Sequence, residues 1–232
     1  MSDATIAGRR PGRPPNPEIR SRREEEILDA AAKLFAEHGY SDMATQALAD
    51  ELGIGKGTIY RYFPTKRDLF LAAVDRMMCQ LTVSVDEAIA AVEDPIEQIE
   101  RVIEGYLSFF AERPQAAELL IQERAHFKDR KKPTYFEYRE ANRGRWAEHI
   151  ERVMRQGRIR NMPVERIMDV IGDLLYGTMF TNYFVGRQRP PAEQAADLFD
   201  VAFYGILSDS ERRRLRSKAA DRQTSGAEHD RA

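Results

Sequence analysis

One short polar segment carries the side chains best suited to contacting a nucleic acid. Its members are Lys56, Gly57, Thr58, Tyr60, Arg61 and Tyr62. The lysine and the threonine can donate hydrogen bonds to base edges or phosphates, and the two tyrosines can bind phosphates or stack on sugars. The glycine permits close approach of the backbone, and its N–H near a helix start favours a phosphate. Packing against a neighbouring helix is the alternative role for each tyrosine.

Two short helices must hold this segment, and their spacing predicts a helix-turn-helix. We expect helices over 45–52 and 56–63, joined by a Gly-Ile-Gly turn at 53–55. Ala49 is small enough to let the second helix cross closely at a steep angle, and Gly53 tolerates the positive φ that such a turn requires. The shared apolar core would contain Leu48, Leu52, Ile54 and Ile59. A helical hairpin that binds nothing is the alternative.

The glycines around Lys56 do not form a phosphate-binding loop of the nucleotide-binding type. That loop needs a glycine, four further residues and then Gly-Lys-Ser/Thr. The position five before Gly55 is Asp50, and Gly57 follows the lysine. No strand pattern precedes the stretch either, so we predict no nucleotide site here.

The rest of the chain indicates an all-α fold with about nine helices. Apolar residues recur at three- and four-residue spacing almost everywhere after Arg20, and no segment shows the period of two that is typical of strands. Gly39 supplies a stop for the first helix. Thr65 and Asp68 have capping-box spacing, which predicts that a long helix begins at Lys66. Its apolar face would be Leu69, Phe70, Ala73, Val74, Met77, Leu81 and Val85.

Residues 1–20 are predicted to form a flexible basic arm, because the prolines between positions 11 and 17 disfavour a helix. Within it, Arg9 and Arg10 precede a Gly-Arg-Pro core at 12–14 that contains Arg13 and is similar to an AT-hook. An extended segment of this kind fits a narrow A·T-rich minor groove, whose negative potential attracts arginine. A solvated charged tail explains the same composition equally well.

The segment from Ala44 to Phe70 resembles the DNA-binding region of the tetracycline-repressor (TetR) family, and the resemblance extends over roughly residues 22–75. It implies that the DNA contacts come from Lys56, Gly57, Thr58, Tyr60, Arg61, Tyr62 and Lys66. It also places Thr45 at a helix-capping position that often touches phosphate. Gly55 departs from the family pattern, which usually has Ser or Thr there, so the recognition helix loses a side-chain cap.

Four regions follow from this reading: the basic arm over 1–20, a helix-turn-helix domain over 21–66, a helical effector-binding and dimerisation domain over 67–216, and a disordered tail over 217–232. Aromatic side chains are frequent in the third region, and core packing explains most of them. The resemblance implies an effector pocket there, and such side chains favour a small apolar or aromatic ligand. The candidate pocket residues are Phe110, Phe127, Trp146, Tyr176 and Phe180.

The last two helices, predicted over about 163–186 and 192–209, combine small and large apolar residues. The resemblance implies a homodimer in which these helices form a four-helix bundle, and an intramolecular core is the alternative. Dimerisation also suits DNA recognition, because one short helix buries too little surface for tight specific binding. The predicted interface residues are Leu174, Thr178, Phe199, Ala202, Phe203 and Ile206.

Composition and motif content exclude several other classes of protein. Lys and Arg number 36 against 38 Asp and Glu, which rules out a generally basic coat protein but permits a local basic patch. The single cysteine, Cys79, cannot form an internal disulfide and suits a reducing cytoplasm. No apolar run approaches the ~20 residues that span a bilayer, and no secretory signal is predicted. Histidine pairs with metal-ligand spacing and nucleophile motifs are missing, so no metal, cofactor or enzymatic activity is predicted.

The sequence therefore predicts a cytoplasmic, homodimeric transcriptional regulator, specifically a repressor that binds a near-palindromic operator in double-stranded DNA. An effector would favour a spacing of the two DNA-binding heads that no longer matches the operator. A nucleoid-type or ligand-independent DNA binder is a second interpretation, distinguished by weak operator preference. A helical enzyme or scaffold is a third, distinguished by a lack of salt-sensitive DNA binding.

Overall fold

The computed structural model of the chain describes residues 17–207 and positions 211 and 213. This part of the chain holds nine α-helices, one π-helical turn and no strand, which confirms the predicted all-α fold. Arg9, Arg10, Arg13 and the predicted tail over 217–232 lie outside the described residues. The elements are α1 (Pro17–Asp42), α2 (Thr45–Glu51), α3 (Lys56–Tyr62), α4 (Lys66–Ile89), α5 (Pro95–Glu112), α6 (Pro114–His126), α7 (Thr134–Arg155), α8 (Val164–Val185), α9 (Pro191–Phe199) and the π-helical turn (Asp200–Tyr204).

Helix α1 begins at Pro17, earlier than the start predicted after Arg20. Proline is tolerated in a first turn, where its missing N–H has no intrahelical partner. The predicted stop at Gly39 is confirmed as a break in the helix, with φ 78° and ψ 157°. The buried face of α1 is formed by the apolar residues that recur at helical spacing: Ile27, Ala30, Ala31, Leu34 and Phe35.

The described chain divides into two compact units. The first comprises the described residues up to Ser84 together with Glu112–Trp146, and the second comprises Val85–Ala111 and the described residues from Ala147 onward. The predicted domain boundary between residues 66 and 67 is a different division, and it stays a prediction. Helix α4 runs without interruption across that boundary.

The first unit is organised around α1, against which α4 and α6 pack. On the α6 side, the buried Gln122 donates from Nε2 to the backbone oxygen of Phe35 at 2.8 Å. On the α4 side, Arg76 donates two hydrogen bonds to Asp29, at 2.6 and 2.8 Å. All the residues predicted for the apolar face of α4, from Leu69 to Val85, are buried.

The second unit contains most of α5 and all of α8 and α9. The Tyr106 hydroxyl on α5 donates to the sulfur of Met179 on α8 at 3.7 Å. The helical stretch that begins at Pro191 ends at Tyr204, before the predicted end at 209, because Gly205 adopts φ 79° and ψ 168°. Ile206 therefore lies beyond the helix and does not share its apolar stripe. It is 86% exposed.

The described residues contain neither a membrane-spanning helix nor a cluster of metal ligands. None of the helices there is long and apolar enough to cross a membrane. No group of three or more His, Cys, Asp or Glu side chains in that part of the chain is arranged to hold a metal ion.

Candidate DNA-binding site

The turn between α2 and α3 is a Schellman motif built on Gly53. This glycine has φ 63°, its N–H donates to the oxygen of Asp50 at 3.2 Å, and the N–H of Ile54 donates to the oxygen of Ala49 at 2.9 Å. This bond pair satisfies the last carbonyls of a helix and requires a left-handed residue, which glycine adopts without strain. The predicted role of Gly53 is confirmed.

The core under this turn is small and apolar. Leu48, Ala49 and Ile59 are each 0% exposed, whereas Leu52 and Ile54 are half-buried. Both helices end one residue earlier than predicted, at Glu51 and Tyr62. The predicted helix-turn-helix is thus present. Its core packs against the apolar side of α3, and the polar residues of α3 lie on the opposite side.

The outward side of α3 is polar and cationic. Lys56, Gly57 and Arg61 are exposed, and Tyr60 is 37% exposed. The other two predicted contact residues, Thr58 and Tyr62, are half-buried. Lys56 lies over the ring of Tyr60 at 5.8 Å, and Arg61 lies over the ring of Tyr62 at 5.7 Å. Within the described residues neither cation forms an ion pair, so both charges are available to an anionic partner.

Gly55 is the N-cap of α3. Its backbone is extended, with φ −72° and ψ 139°, and α3 has no side-chain cap hydrogen bond. The predicted loss of a side-chain cap at this position is confirmed. The backbone oxygen of Gly55 accepts the N–H of Thr58 at 2.7 Å and so begins the helix.

Thr45 does not cap α2, which corrects the prediction. The N-cap is Ala44, with φ −88° and ψ 124°, and Thr45 is the first helical residue. The threonine is 6% exposed, and its Oγ1 accepts a hydrogen bond from the Tyr60 hydroxyl at 3.3 Å. Thr45 therefore orients the Tyr60 side chain on α3, and a phosphate contact by Thr45 stays a prediction.

The start of α4 carries the predicted capping box. The N–H of Asp68 donates to Thr65 Oγ1 at 3.0 Å, and the N–H of Thr65 donates to Asp68 Oδ2 at 3.1 Å. The helix begins at Lys66, as predicted. The reciprocal bonds satisfy two backbone donors that the helix itself leaves unpaired, and they fix the position of Lys66.

The ammonium group of Lys66 bridges α4 to the end of α1. It donates to the backbone oxygen of Ser41 at 2.9 Å and lies 5.1 Å above the ring of Tyr40. Burial raises the pKa of the Tyr40 phenol above its ordinary value of 10.0. An ammonium has three donors, so Lys66 retains capacity for a phosphate. Sequence reasoning missed Ser41, because neither a motif nor a periodic pattern selects it.

The structure distributes the five predicted pocket residues between the two units. Phe127 belongs to the first unit and packs against Tyr40 and Phe70, with ring centroids 4.8 and 5.3 Å apart. Trp146 also belongs to the first unit. In the second unit, Phe110 is buried, and Tyr176 and Phe180 form an edge-to-face pair. Their role in binding an effector stays a prediction.

A cleft of about 960 Å³ opens in the second unit. None of the five predicted pocket residues lines it. Four predicted dimer-interface residues do: Phe199, Ala202, Phe203 and Ile206. Leu174 and Thr178 lie on α8, at 38% exposure for the leucine and half-buried for the threonine.

The fold and this site define a helical protein with an N-terminal helix-turn-helix and further helices that follow it in the chain. Residues 27–73 match the sequence model described as "Bacterial regulatory proteins, tetR family", and residues 92–178 match "Tetracyclin repressor-like, C-terminal domain". Together the two matches cover more than half of the chain. The chain belongs to the TetR family, and the resemblance seen in the sequence is confirmed.

Two curated relatives and one solved structure illustrate the relationship. The transcriptional activator FasR of Mycolicibacterium smegmatis is 27% identical over 44% of this chain, and the transcriptional repressor KstR of Mycobacterium tuberculosis is 30% identical over 35%. The chain spans less than half the length of these relatives, 47% and 37% respectively. The regulator FadR from Bacillus subtilis, solved in complex with stearoyl-CoA, has a TM-score of 0.68 at 20% identity, covering 79% of this chain and 99% of that one. This likeness shows the shared fold.

Proposed function

We propose that the protein is a sequence-specific DNA-binding transcriptional regulator that places α3 in the major groove. The observation that carries the proposal is the outward face of α3, where Lys56 and Arg61 are exposed and uncompensated on the helix that follows the Schellman turn. A recognition helix contacts base edges through such side chains, and its neighbours bind phosphates. Because the proposed partner is chromosomal DNA, we expect the protein to act in the cytoplasm.

The proposal includes a homodimer on a near-palindromic operator. Of the ten large hydrophobic residues found exposed in the described chain, eight lie between Val170 and Leu207. On α8, Val170, Leu174, Thr178 and Val185 follow helical spacing along one face. A concentration of exposed apolar residues of this kind favours a protein interface, and a second copy would supply the second recognition helix.

The proposal also includes release by a small effector bound among the helices that follow the helix-turn-helix in the chain. A protein of the same fold holds stearoyl-CoA, so the fold accommodates such a ligand. Relatives are named both as activator and as repressor. We favour a repressor, because an effector that changes the spacing of two DNA-binding heads lowers affinity for the operator.

Lys66→Ala tests the DNA-binding proposal. The variant should bind all DNA sequences more weakly and to a similar extent, because phosphate contacts carry no base information. The slope of log affinity against log salt should fall by about 0.9 for each phosphate that the variant no longer neutralises. Fluorescence anisotropy across a salt series measures both, using DNA that flanks the protein's own gene and a scrambled duplex.

Arg187→Ala is the matched control, since it removes one exposed positive charge from the second unit. Its salt slope should equal that of the unmodified protein. If Lys66→Ala weakened binding at particular base pairs alone, that result would contradict the phosphate assignment. A lack of salt-sensitive DNA binding by the unmodified protein would overturn the proposed function.

A further inference from the structure

The loop between α6 and α7, residues 127–133, is rich in cations of which only some are neutralised. Arg130 lies 3.2 Å from the buried Glu123 and 2.7 Å from Glu137. Lys132 pairs with Glu140. These pairs hold the loop to the ends of its two helices and leave those charges compensated.

Lys128 and Lys131 are the uncompensated cations of this loop. Both are exposed, and neither has an ion pair or a hydrogen-bond partner within the part of the chain that the structure describes. Arg124, in the last turn of α6, is likewise exposed and unpaired there. A local excess of positive charge therefore remains on this loop although the whole chain has a net charge of −2.

The loop is fastened to the start of α4, where the predicted phosphate contact lies. Arg67 directly follows Lys66, and it donates to Asp129 Oδ2 at 2.6 Å. The same guanidinium lies 4.9 Å from the ring of Phe127. The charge of Asp129 is thus compensated by Arg67, and the hydrogen bond between them lowers the pKa of the Asp129 carboxyl. Lys128 and Lys131 sit one residue before and two residues after this anchor.

A shared aromatic cluster gives the loop a second connection to Lys66. The ring of Tyr40 lies 4.8 Å from that of Phe127 and carries the ammonium of Lys66 at 5.1 Å on its face. Phe127 is 4% exposed and Phe70 is 0% exposed, so the connection is made through packed side chains. The loop and the start of α4 are therefore joined by both polar and aromatic contacts within the first unit.

We propose that Lys128 and Lys131 form a second DNA contact, which binds backbone phosphates outside the region read by α3. The proposal rests on the proposed function and adds a contact to it. Lysine acts as a mobile point charge on a long stem, which suits a phosphate whose exact position varies. Contacts of this kind add affinity and salt dependence but no base specificity. An acidic protein surface is the other anionic partner that two free lysines could bind.

The test uses Lys128→Gln combined with Lys131→Gln in the full chain. The matched control combines Arg152→Gln with Arg187→Gln, two exposed and unpaired arginines of the second unit, and so removes the same net charge. Each protein is titrated into mixed-sequence duplexes across a salt series. One duplex has about 20 base pairs, which is enough for two half-sites spaced one helical turn apart. The other has about 40 base pairs and so adds flanking phosphates on both sides.

On the long duplex, the slope of log affinity against log salt should fall by about 0.9 for each lysine in each subunit, relative to the unmodified protein. On the short duplex the fall should be smaller, because the flanking phosphates are missing. The control variant should behave as the unmodified protein on both. Circular dichroism should show unchanged helix content, since both lysines are exposed and unpaired.

Three outcomes separate the alternatives. If the unmodified protein binds with a salt-dependent affinity but the lysine variant matches it on the long duplex, the second contact is overturned while the proposed function stands, and an acidic protein becomes the expected partner of the loop. If the slope of the control falls as much as that of the lysine variant, the change reflects net charge in general, and the proposed contact by Lys128 and Lys131 is overturned. If the unmodified protein does not bind either duplex, the proposed function itself fails.

Discussion

Gly57 in the helix-turn-helix is a residue whose identity the fold itself does not explain. A Cβ added at Gly57 would meet no atom within 4 Å, and its φ lies outside the left-handed region. The folded protein therefore places no steric demand for glycine here. Close approach of a DNA backbone to α3 would explain why a glycine occupies this position, because a larger side chain would keep the DNA further away.

Gly57→Ala should accordingly separate folding from binding. The added methyl group should leave thermal stability unchanged or slightly raised, because alanine is the better helix former. DNA affinity should fall by about tenfold, since forcing a methyl group into a close contact costs ~1–3 kcal/mol. Thermal denaturation and anisotropy titration on the same preparation measure the two quantities.

Gly144→Ala provides the control at the same scale. Gly144 lies inside α7, is exposed, and also has open space around an added Cβ. This substitution should stabilise the fold by roughly 0.5–1 kcal/mol and leave DNA affinity unchanged. If Gly57→Ala and the unmodified protein bind DNA with equal affinity, the DNA backbone does not approach α3 closely at Gly57.

Single elements depend on their terminal residues, and Asp94 at the start of α5 shows how. Its carboxylate accepts the N–H groups of Ile96 and Glu97 at 2.8 and 3.0 Å and binds Arg158 at 2.6 Å. The hydrogen bond from Arg158, together with the backbone bonds, lowers the pKa of Asp94 to about 2. One side chain thus begins α5 and ties it to the segment that precedes α8.

The pKa of Asp94 predicts a pH dependence of stability. A group whose folded pKa lies below its unfolded value of 3.8 stabilises the fold above that value, and the contribution is lost as the pH falls towards about 2. Asp94→Asn keeps an acceptor for the α5 N–H groups but removes the charge. Its urea midpoint should therefore be lower than that of the unmodified protein at about pH 6, and the gap should close between about pH 4 and pH 2.

Asp94→Ala separates the cap from the ion pair. It removes both interactions, so its midpoint at about pH 6 should be lower than that of Asp94→Asn. A constant gap between Asp94→Asn and the unmodified protein over the whole acidic range would contradict the charge contribution, because the ion pair exists only while the carboxyl is ionised.

The molecule as a whole leaves apolar surface uncovered on its second unit, and this bears on its oligomeric state. Phe203 is half-buried and stacks on Phe199 with ring centroids 4.5 Å apart. Nearby, Val201 is 48% exposed and Tyr204 is 62% exposed. Such a patch is costly in water, and a twofold-related copy would cover the patches of both subunits at once.

Phe203→Glu should give a monomer that retains helix content but loses specific operator binding. An unpaired charge buried in an interface costs several kcal/mol, and the twofold axis repeats the change. Two tethered heads bind an operator far more tightly than one. Sedimentation velocity and a gel shift on the same sample measure the outcome.

Val83→Glu is the matched control, since Val83 is an apolar residue of the first unit at 55% exposure. It should remain dimeric and bind normally. A Phe203→Glu protein that stays dimeric would locate the interface elsewhere, and one that loses its helix content would make Phe203 part of the intramolecular core.

The sequence by itself determined the features that depend on neighbouring positions. The Schellman glycine Gly53, the Thr65–Asp68 capping box and the apolar face of α4 were all predictable, because each follows from backbone sterics or helical period within a few residues. The family resemblance added the identity of the α3 contact residues, and the exposure of Lys56 and Arg61 agrees with it.

Only the tertiary structure decided which distant residues meet. The bonds from Tyr60 to Thr45, Lys66 to Ser41 and Arg67 to Asp129 join residues 15, 25 and 62 positions apart. Long polar side chains reach partners that no periodic pattern encodes. The cap that the resemblance implied at Thr45 and the helix predicted to run to 209 were both wrong. Such contacts depend on how α1, α4 and α6 pack together, and that packing is decided by the whole core at once.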